Sequence, residues 1–101
     1  MLDKATVREI AEKYAEEVRK ILDPDAILLF GSYTNRNPHE YSDIDIAVII
    51  NDFEGNWYET MVELCGLTWN FVGFSIEPHL LDENHDRSGF VEHVMKTGEF
   101  I

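Results

Sequence analysis

The sequence has little of what disulfide-bonded, membrane-bound or secreted proteins contain. Cys65 is the single cysteine among 101 residues, so no disulfide can form within the chain, which is usual in a reducing compartment. No apolar run approaches the roughly 20 residues that a membrane-spanning helix needs. Residues 1–20 are charged throughout, unlike a signal peptide. We therefore expect a cytoplasmic protein that does not contact a membrane.

Basic residues are also scarce. The chain has 8 lysines and arginines against 20 acidic residues, and its formal net charge is -12. Binding to a phosphate backbone depends largely on lysine and arginine, so nucleic acid is not expected as a partner. An acidic surface suits metal cations and basic protein partners, although most of these charges are expected to be ordinary solvated surface.

Hydrophobic residues are plentiful enough to form a core. They make up 45% of the chain and aromatic residues 12%, which argues against disorder. The length corresponds to one domain, residues 1–101. Because so small a domain buries a limited share of its surface, we expect a protein partner or self-association into a homo-oligomer.

Hydrophobic periodicity predicts alternating helices and strands. The predicted helices cover residues 4–22, 56–68 and 88–97, and the predicted strands cover residues 26–30, 43–50 and 70–77. The fold class is therefore α+β, with helices packed on one small mixed sheet in the order α-β-β-α-β-α. Asp3, Asn56 and Ser88 are predicted N-caps, Gly98 is a predicted helix end, and Cys65 is predicted to lie in the core.

Two carboxylates open the second predicted strand. Asp43 and Asp45 lie two residues apart, so a regular strand projects both from the same face. Such a pair repels itself unless a cation lies between the two groups, and Mg²⁺ prefers oxygen ligands of this kind. Taken alone, however, an Asp-x-Asp segment is often just two solvated acids at a strand end.

A glycine and a serine follow the first predicted strand directly. Gly31 permits a tight turn and a close approach of the backbone to a ligand. The Ser32 hydroxyl and nearby amide groups can hold phosphate oxygens. Taken alone, this pair is an ordinary turn.

The two features together, in the segment GSYTNRNPHEYSDIDIAVI, resemble the signature of the polymerase-beta-like nucleotidyltransferase superfamily, in particular its minimal nucleotidyltransferase branch. The resemblance implies that Gly31 and Ser32 bind the triphosphate of ATP or another nucleoside triphosphate. It implies that Asp43 and Asp45 hold Mg²⁺, as a site for two ions, and that Ser42 supports the turn before them. Arg36 stands where many relatives have glycine. Its guanidinium group either reaches a phosphate or marks weakened nucleotide binding.

The resemblance also implies a third carboxylate on the next strand, which binds metal and helps to deprotonate the attacking hydroxyl. Glu77 is the acid that the third predicted strand offers, and the alternative is that it is a solvent-facing glutamate at a strand end. His79 lies two residues further on and could approach the same cleft, although Pro78 leaves its direction open. The four histidines show no zinc-ligand spacing.

The implied reaction is metal-dependent transfer of a nucleoside monophosphate, AMP from ATP, to a hydroxyl group of an acceptor. Small members of this superfamily often act as antitoxins that modify a HEPN-type toxin protein, which makes such a partner the implied acceptor. Two alternatives stay open. One is a binding module that neutralises its partner by docking, with little or no catalysis. The other is a small-molecule transferase of the antibiotic-modifying kind, whose acceptor pocket a second subunit would complete.

Overall fold

The computed structural model describes residues 3–31, 43–86 and 88–101. Its main elements, in chain order, are α1 (Lys4–Ile21), β1 (Ala26–Phe30), β2 (Ile44–Ile49), α2 (Trp57–Leu67), β3 (Ile76–Leu81), α3 (Phe90–Thr97) and β4 (Glu99–Phe100). Short 3-10 helices cover Thr68–Asn70 and Glu83–His85. Within these described ranges, no helix has the length and hydrophobicity that a membrane span requires.

The strands form one mixed sheet in the order β3-β2-β1-β4. β1 is antiparallel to both β2 and β4, whereas β2 and β3 are parallel. A parallel pair needs a crossover connection, and α2 lies in the connection between β2 and β3. The predicted α+β class is therefore confirmed, with β4 as an additional short strand.

The two faces of the sheet pack against different helices. Side chains alternate along β2, so Ile44, Ile46 and Val48 belong to a core shared with α1 and with Leu64 of α2. Ala47 and Ile49 belong to the opposite core, which includes Val91 and Val94 of α3. By the same alternation Asp45 lies on the α3 face of the sheet, at the end where β2 begins.

The helix ends agree with the sequence at two of the three predicted N-caps. Asp3 accepts a hydrogen bond from the Thr6 amide at 2.7 Å, and Asn56 accepts one from the Glu59 amide at 2.9 Å. The prediction for the last helix is wrong in detail, because α3 begins at Phe90 after Gly89, which has a φ of 78°. In its first turn the carboxylate of Asp86 accepts the Val91 amide at 2.7 Å, and the Ser88 hydroxyl accepts the Phe90 amide at 3.2 Å.

The third strand differs most from its prediction. It was expected at residues 70–77 but runs from Ile76 to Leu81, and residues 71–75 form a turn that includes Gly73 with a φ of 95°. Pro78 is tolerated inside this strand because β3 is at the edge of the sheet. The carbonyl oxygen of Ser75 accepts a hydrogen bond from Ile44 of β2, and that of Leu81 accepts one from Ile50, directly after β2. The backbone groups of the odd-numbered residues of β3 therefore face β2. The nitrogen of Pro78 therefore faces away from β2, where no sheet hydrogen bond is lost.

Cys65 is exposed, so its expected place in the core is also wrong. Its neighbour Leu64 is the fully buried residue of α2. The buried hydroxyl of Tyr14 on α1 donates a hydrogen bond to the Leu64 carbonyl at 2.6 Å. This bond links the two helices, and Leu64, rather than Cys65, belongs to the core between them and the sheet.

Candidate active site

Three neighbouring strand segments bring three of the predicted site residues, Gly31, Asp45 and Glu77, to one end of the sheet. Phe30, the last residue of β1, pairs with Asp45, and Asp45 pairs on its other side with Glu77. Gly31 follows Phe30 directly. The chain segments that carry Gly31, Asp45 and Glu77 therefore lie side by side, although 46 residues of sequence separate the first from the last.

Gly31 is packed against the carboxylate of Asp45. Its φ of 82° lies in the region that favours glycine, which agrees with the predicted tight turn. A methyl group at this position would collide with Asp45 Oδ2 and lie 3.2 Å from Asp45 Cγ. The absence of a side chain at Gly31 thus leaves the space that the carboxylate occupies. The other predicted phosphate-binding residues, Ser32, Arg36 and Ser42, lie outside the described residues, and their roles stay predictions.

The two aspartates of the Asp-x-Asp segment have different surroundings. Asp43 precedes β2 and is exposed, and its Oδ1 accepts a hydrogen bond from the Ser75 hydroxyl at 2.5 Å. Asp45 is within β2, and its side chain is only 21% exposed. Asp45 is therefore the less exposed of the two aspartates, and it is the one that pairs with residues of both neighbouring strands.

His79 is the residue at this site whose position the sequence left open. Its Nε2 lies 3.3 Å from Asp45 Oδ1 and 4.0 Å from Glu77 Oε1. Its ring packs edge-on against Phe30, with centroids 5.1 Å apart, and lies 6.5 Å from the ring of Phe90. The available signal was its spacing of two from Glu77, which places both side chains on one side of β3. The strand was expected to end near Pro78, and that expectation hid the signal.

Burial and charge act together on this cluster. Burial raises the pKa of Glu77, and Asp45 and Asp43 raise it further, although His79 acts in the opposite direction. The hydrogen bond to Asp45 raises the pKa of His79, against the effect of burial. The pKa shift of His79 thus reflects the negative charge of Asp45. For Glu77 burial is the main cause, and the excess of negative charge on Asp45 and Asp43 adds to it.

A divalent cation would relieve this excess, and the donor atoms fit one. Asp45, Glu77 and His79 each offer one ligand atom, and these atoms all lie within 4.8 Å of one another. Within the described residues, this is the group of three side chains whose donor atoms could hold a metal ion. It does not include Asp43, whose carboxylate accepts a hydrogen bond from Ser75. Two of the three predicted metal-binding acids, Asp45 and Glu77, are thus brought together, and a histidine joins them.

Comparisons with known proteins identify a family and a similar fold. The sequence model of the family described as "Polymerase beta, Nucleotidyltransferase" matches residues 8–101. A chain in the crystal structure of a mutant of the toxin–antitoxin pair MntA–HpeT superposes with a TM-score of 0.57 at 22% sequence identity. The superposition covers 98% of this chain and 72% of that chain. Comparison with curated protein sequences gives no match.

Proposed function

Because the chain belongs to the polymerase beta nucleotidyltransferase family, we propose that it transfers AMP from ATP to a hydroxyl group of a partner protein. The acceptor oxygen forms a bond to the α-phosphorus, the bond from that phosphorus to the bridging oxygen breaks, and pyrophosphate leaves. The family resemblance implies a divalent cation, with Mg²⁺ as the expected cofactor of transfer. The observation that carries this proposal is the convergence of Gly31, Asp45 and Glu77 from three neighbouring strand segments.

The chain's own residues divide the work by position. Gly31, with Ser32 and Arg36, holds the phosphates, because a bare backbone turn lets phosphate oxygens approach closely. Asp43, Asp45 and Glu77 hold the divalent cation, and Ser42 supports the turn before them. Glu77 also accepts the proton of the attacking hydroxyl, since its side chain is 53% exposed and an acceptor can reach it. The cation, when bound, neutralises phosphate charge. Positioning and charge neutralisation then account for most of the catalysis.

A protein partner is supported by two observations. One solved structure that resembles this chain is that of the toxin–antitoxin pair MntA–HpeT, in a mutant in which two aspartates two positions apart are replaced by glutamate. Asp43 and Asp45 have the same spacing in this chain. The net charge of -12 also suits a basic protein surface better than a nucleic acid. We propose a HEPN-type toxin as the partner and an antitoxin role for this protein.

Transfer of radioactive label tests the proposal. The protein is incubated with ATP labelled at the α-phosphate, Mg²⁺ and the product of the neighbouring gene, and label on that product is measured after electrophoresis. We expect label on the partner, and a loss of at least about a hundredfold in Asp45→Asn and Asp43→Asn, since the charge that holds the cation is removed. Asp23→Asn is the matched control, because Asp23 is exposed before β1, at the opposite end from Gly31.

The label-transfer assay, together with a test of whether each variant neutralises a toxic partner, decides between the alternatives. If the wild type transfers no label, or if Asp45→Asn and Asp43→Asn neutralise a toxic partner as well as the wild type does, the protein acts by docking. Label on an added aminoglycoside and none on the partner would instead favour the small-molecule transferase. Equal activity of Asp23→Asn and the wild type shows that the loss is specific to the site.

A further inference from the structure

The position of His79 indicates which class of ion this site takes. We propose that Asp45, Glu77 and His79 bind a first-row transition-metal dication such as Co²⁺ or Zn²⁺, with His79 Nε2 as a direct ligand, in preference to Mg²⁺. The inference rests on the proposed function in one respect, because it takes Asp45 and Glu77 as metal ligands. It adds a ligand and an ion preference that the carboxylates alone do not provide.

The nitrogen of His79 lies close enough to each carboxylate to share an ion with it. Nitrogen and oxygen ligands lie about 2.0–2.2 Å from a first-row dication, so two ligands of one ion are at most about 4.4 Å apart. The distances from His79 Nε2 to Asp45 Oδ1 and Glu77 Oε1, 3.3 Å and 4.0 Å, are both below this limit. All three donor atoms lie within 4.8 Å of one another, so an adjustment of a few tenths of an ångström brings the whole set within reach of one ion.

The ring of His79 is already held in this orientation. Phe30 packs edge-on against one side of it, and Phe90 lies near the imidazole at a tilted angle. The side chain is only 29% exposed, so little rotational freedom remains to be lost when an ion binds. A histidine whose role was only to cover the hydrophobic core would not need its nitrogen between two carboxylates.

The chemistry of the donor set determines the preference. Carboxylate oxygens alone suit Mg²⁺, whereas imidazole nitrogen suits borderline ions such as Zn²⁺ and its first-row neighbours. A set of two carboxylates and one imidazole therefore gains affinity for transition metals and little for Mg²⁺. We expect the effect of His79 to appear as a difference between ions and not as a uniform change in affinity.

Calorimetric titration of the protein with Co²⁺ and with Mg²⁺, each without nucleotide or partner, measures this difference. The wild type should bind Co²⁺ more tightly than Mg²⁺. In His79→Gln we expect Co²⁺ affinity to fall at least about tenfold and Mg²⁺ affinity to change less than about threefold. Glutamine keeps a polar group that can bond Asp45, and urea denaturation confirms that the variant is folded. His93→Gln is the matched control, because His93 is exposed on α3.

Direct ligation has its own signature. The ring N–H proton of a histidine bound to Co²⁺ gives a strongly shifted NMR signal that exchanges with deuterium. This signal should be present in the wild type and in His93→Gln and absent in His79→Gln. Equal losses of Co²⁺ and Mg²⁺ affinity, or a shifted signal that persists in His79→Gln, would overturn the inference.

The outcome is separable from that of the proposed function. Ion binding is measured without ATP or an acceptor, so a protein that transfers no AMP can still show the Co²⁺ preference. Conversely, label transfer that depends on Asp45, together with Co²⁺ affinity that is unchanged in His79→Gln, would support the transferase and overturn the role of His79.

Discussion

At the scale of single residues, Gly31 is the described glycine with the least space for a side chain, because Asp45 packs against it. The carboxylate occupies the volume in which any other residue would place its Cβ atom, and the φ of 82° independently favours glycine. Two constraints of different origin therefore act on one position. The sequence analysis explains Gly31 by the approach of a phosphate to the backbone. The structure adds a second reason, which is the space that the Asp45 carboxylate needs.

Replacing Gly31 by alanine tests that contact. We expect Gly31→Ala to lower the free energy of unfolding by about 1–3 kcal/mol, because the residue must keep a left-handed conformation and displace the carboxylate. The change should also weaken cation binding, since Asp45 moves. Urea denaturation measures the first effect and calorimetric titration with Co²⁺ the second.

Gly66 provides the matched control. It lies in α2, where an added methyl group has no atom within 4 Å. Gly66→Ala should therefore raise the free energy of unfolding by about 0.5–1 kcal/mol and leave cation binding unchanged. If the two variants behaved alike, the contact between Gly31 and Asp45 would not constrain that position.

At the scale of elements, Asp82 joins the end of β3 to the turn after β2. Its buried carboxylate accepts hydrogen bonds from the amides of Phe53 at 2.9 Å and Asn84 at 3.0 Å, and it contacts His85 Nδ1 at 2.9 Å. Burial by itself would raise the pKa of Asp82, but these bonds outweigh it and lower the pKa to about 2. The ionised form is therefore the one that connects the two segments.

The sign of the pH dependence follows from the lowered pKa. An ionised Asp82 stabilises the folded protein above the ordinary value of 3.8, and this contribution is lost as the pH falls towards about 2. We expect Asp82→Asn to be less stable than the wild type near neutral pH, with the difference shrinking between pH 4 and pH 2. Urea denaturation across this range measures it. Glu83→Gln is the control at the exposed neighbouring position, and a difference that did not change with pH would contradict the assignment.

Elements whose signals are local could be predicted from the sequence. The stripe of apolar residues in α1, the apolar runs of β1 and β2, and the caps at Asp3 and Asn56 depend on neighbouring residues only. β3 could not be placed correctly because its parallel partner is distant in sequence. The apolar residues before it, which suggested a strand, do not lie in the sheet. Phe71 packs edge-on against Tyr14 with ring centroids 5.9 Å apart, and Val72 is 86% exposed.

The candidate site could be predicted only as far as the family resemblance reached. Asp45 and Glu77 were identified in that way, and the register of β2 and β3 places them in paired positions. His79 could not be assigned to the site in this way, because its contact with Asp45 follows only from the register in which β2 and β3 pair. A single sequence contains no information about pairing between strands that are 30 residues apart, so this part of the site needed the structure.

At the scale of the whole molecule, the net charge of -12 is the dominant electrostatic property. Like charges on so small a protein repel one another. At 0.1 M dissolved salt largely screens the repulsion between exposed charges that are more than about 10 Å apart. We expect the free energy of unfolding to rise with NaCl concentration between about 0.01 M and 0.3 M. Urea denaturation at several concentrations measures the rise. KCl should act equally, and a decrease with either salt would mean that attractive pairs such as Arg8 with Glu12 dominate instead.

The position of Pro78 has a consequence for how copies of the protein meet. An edge strand normally offers a row of amide hydrogens and carbonyl oxygens to which a second sheet can add, and this is a common route to uncontrolled aggregation. On β3 the nitrogen that faces outward at Pro78 carries no hydrogen, so an incoming strand finds a gap in the middle of the row. The strand that carries Glu77 and His79 is therefore a poor template for the addition of a further strand, so the edge beside the candidate site resists this route to aggregation.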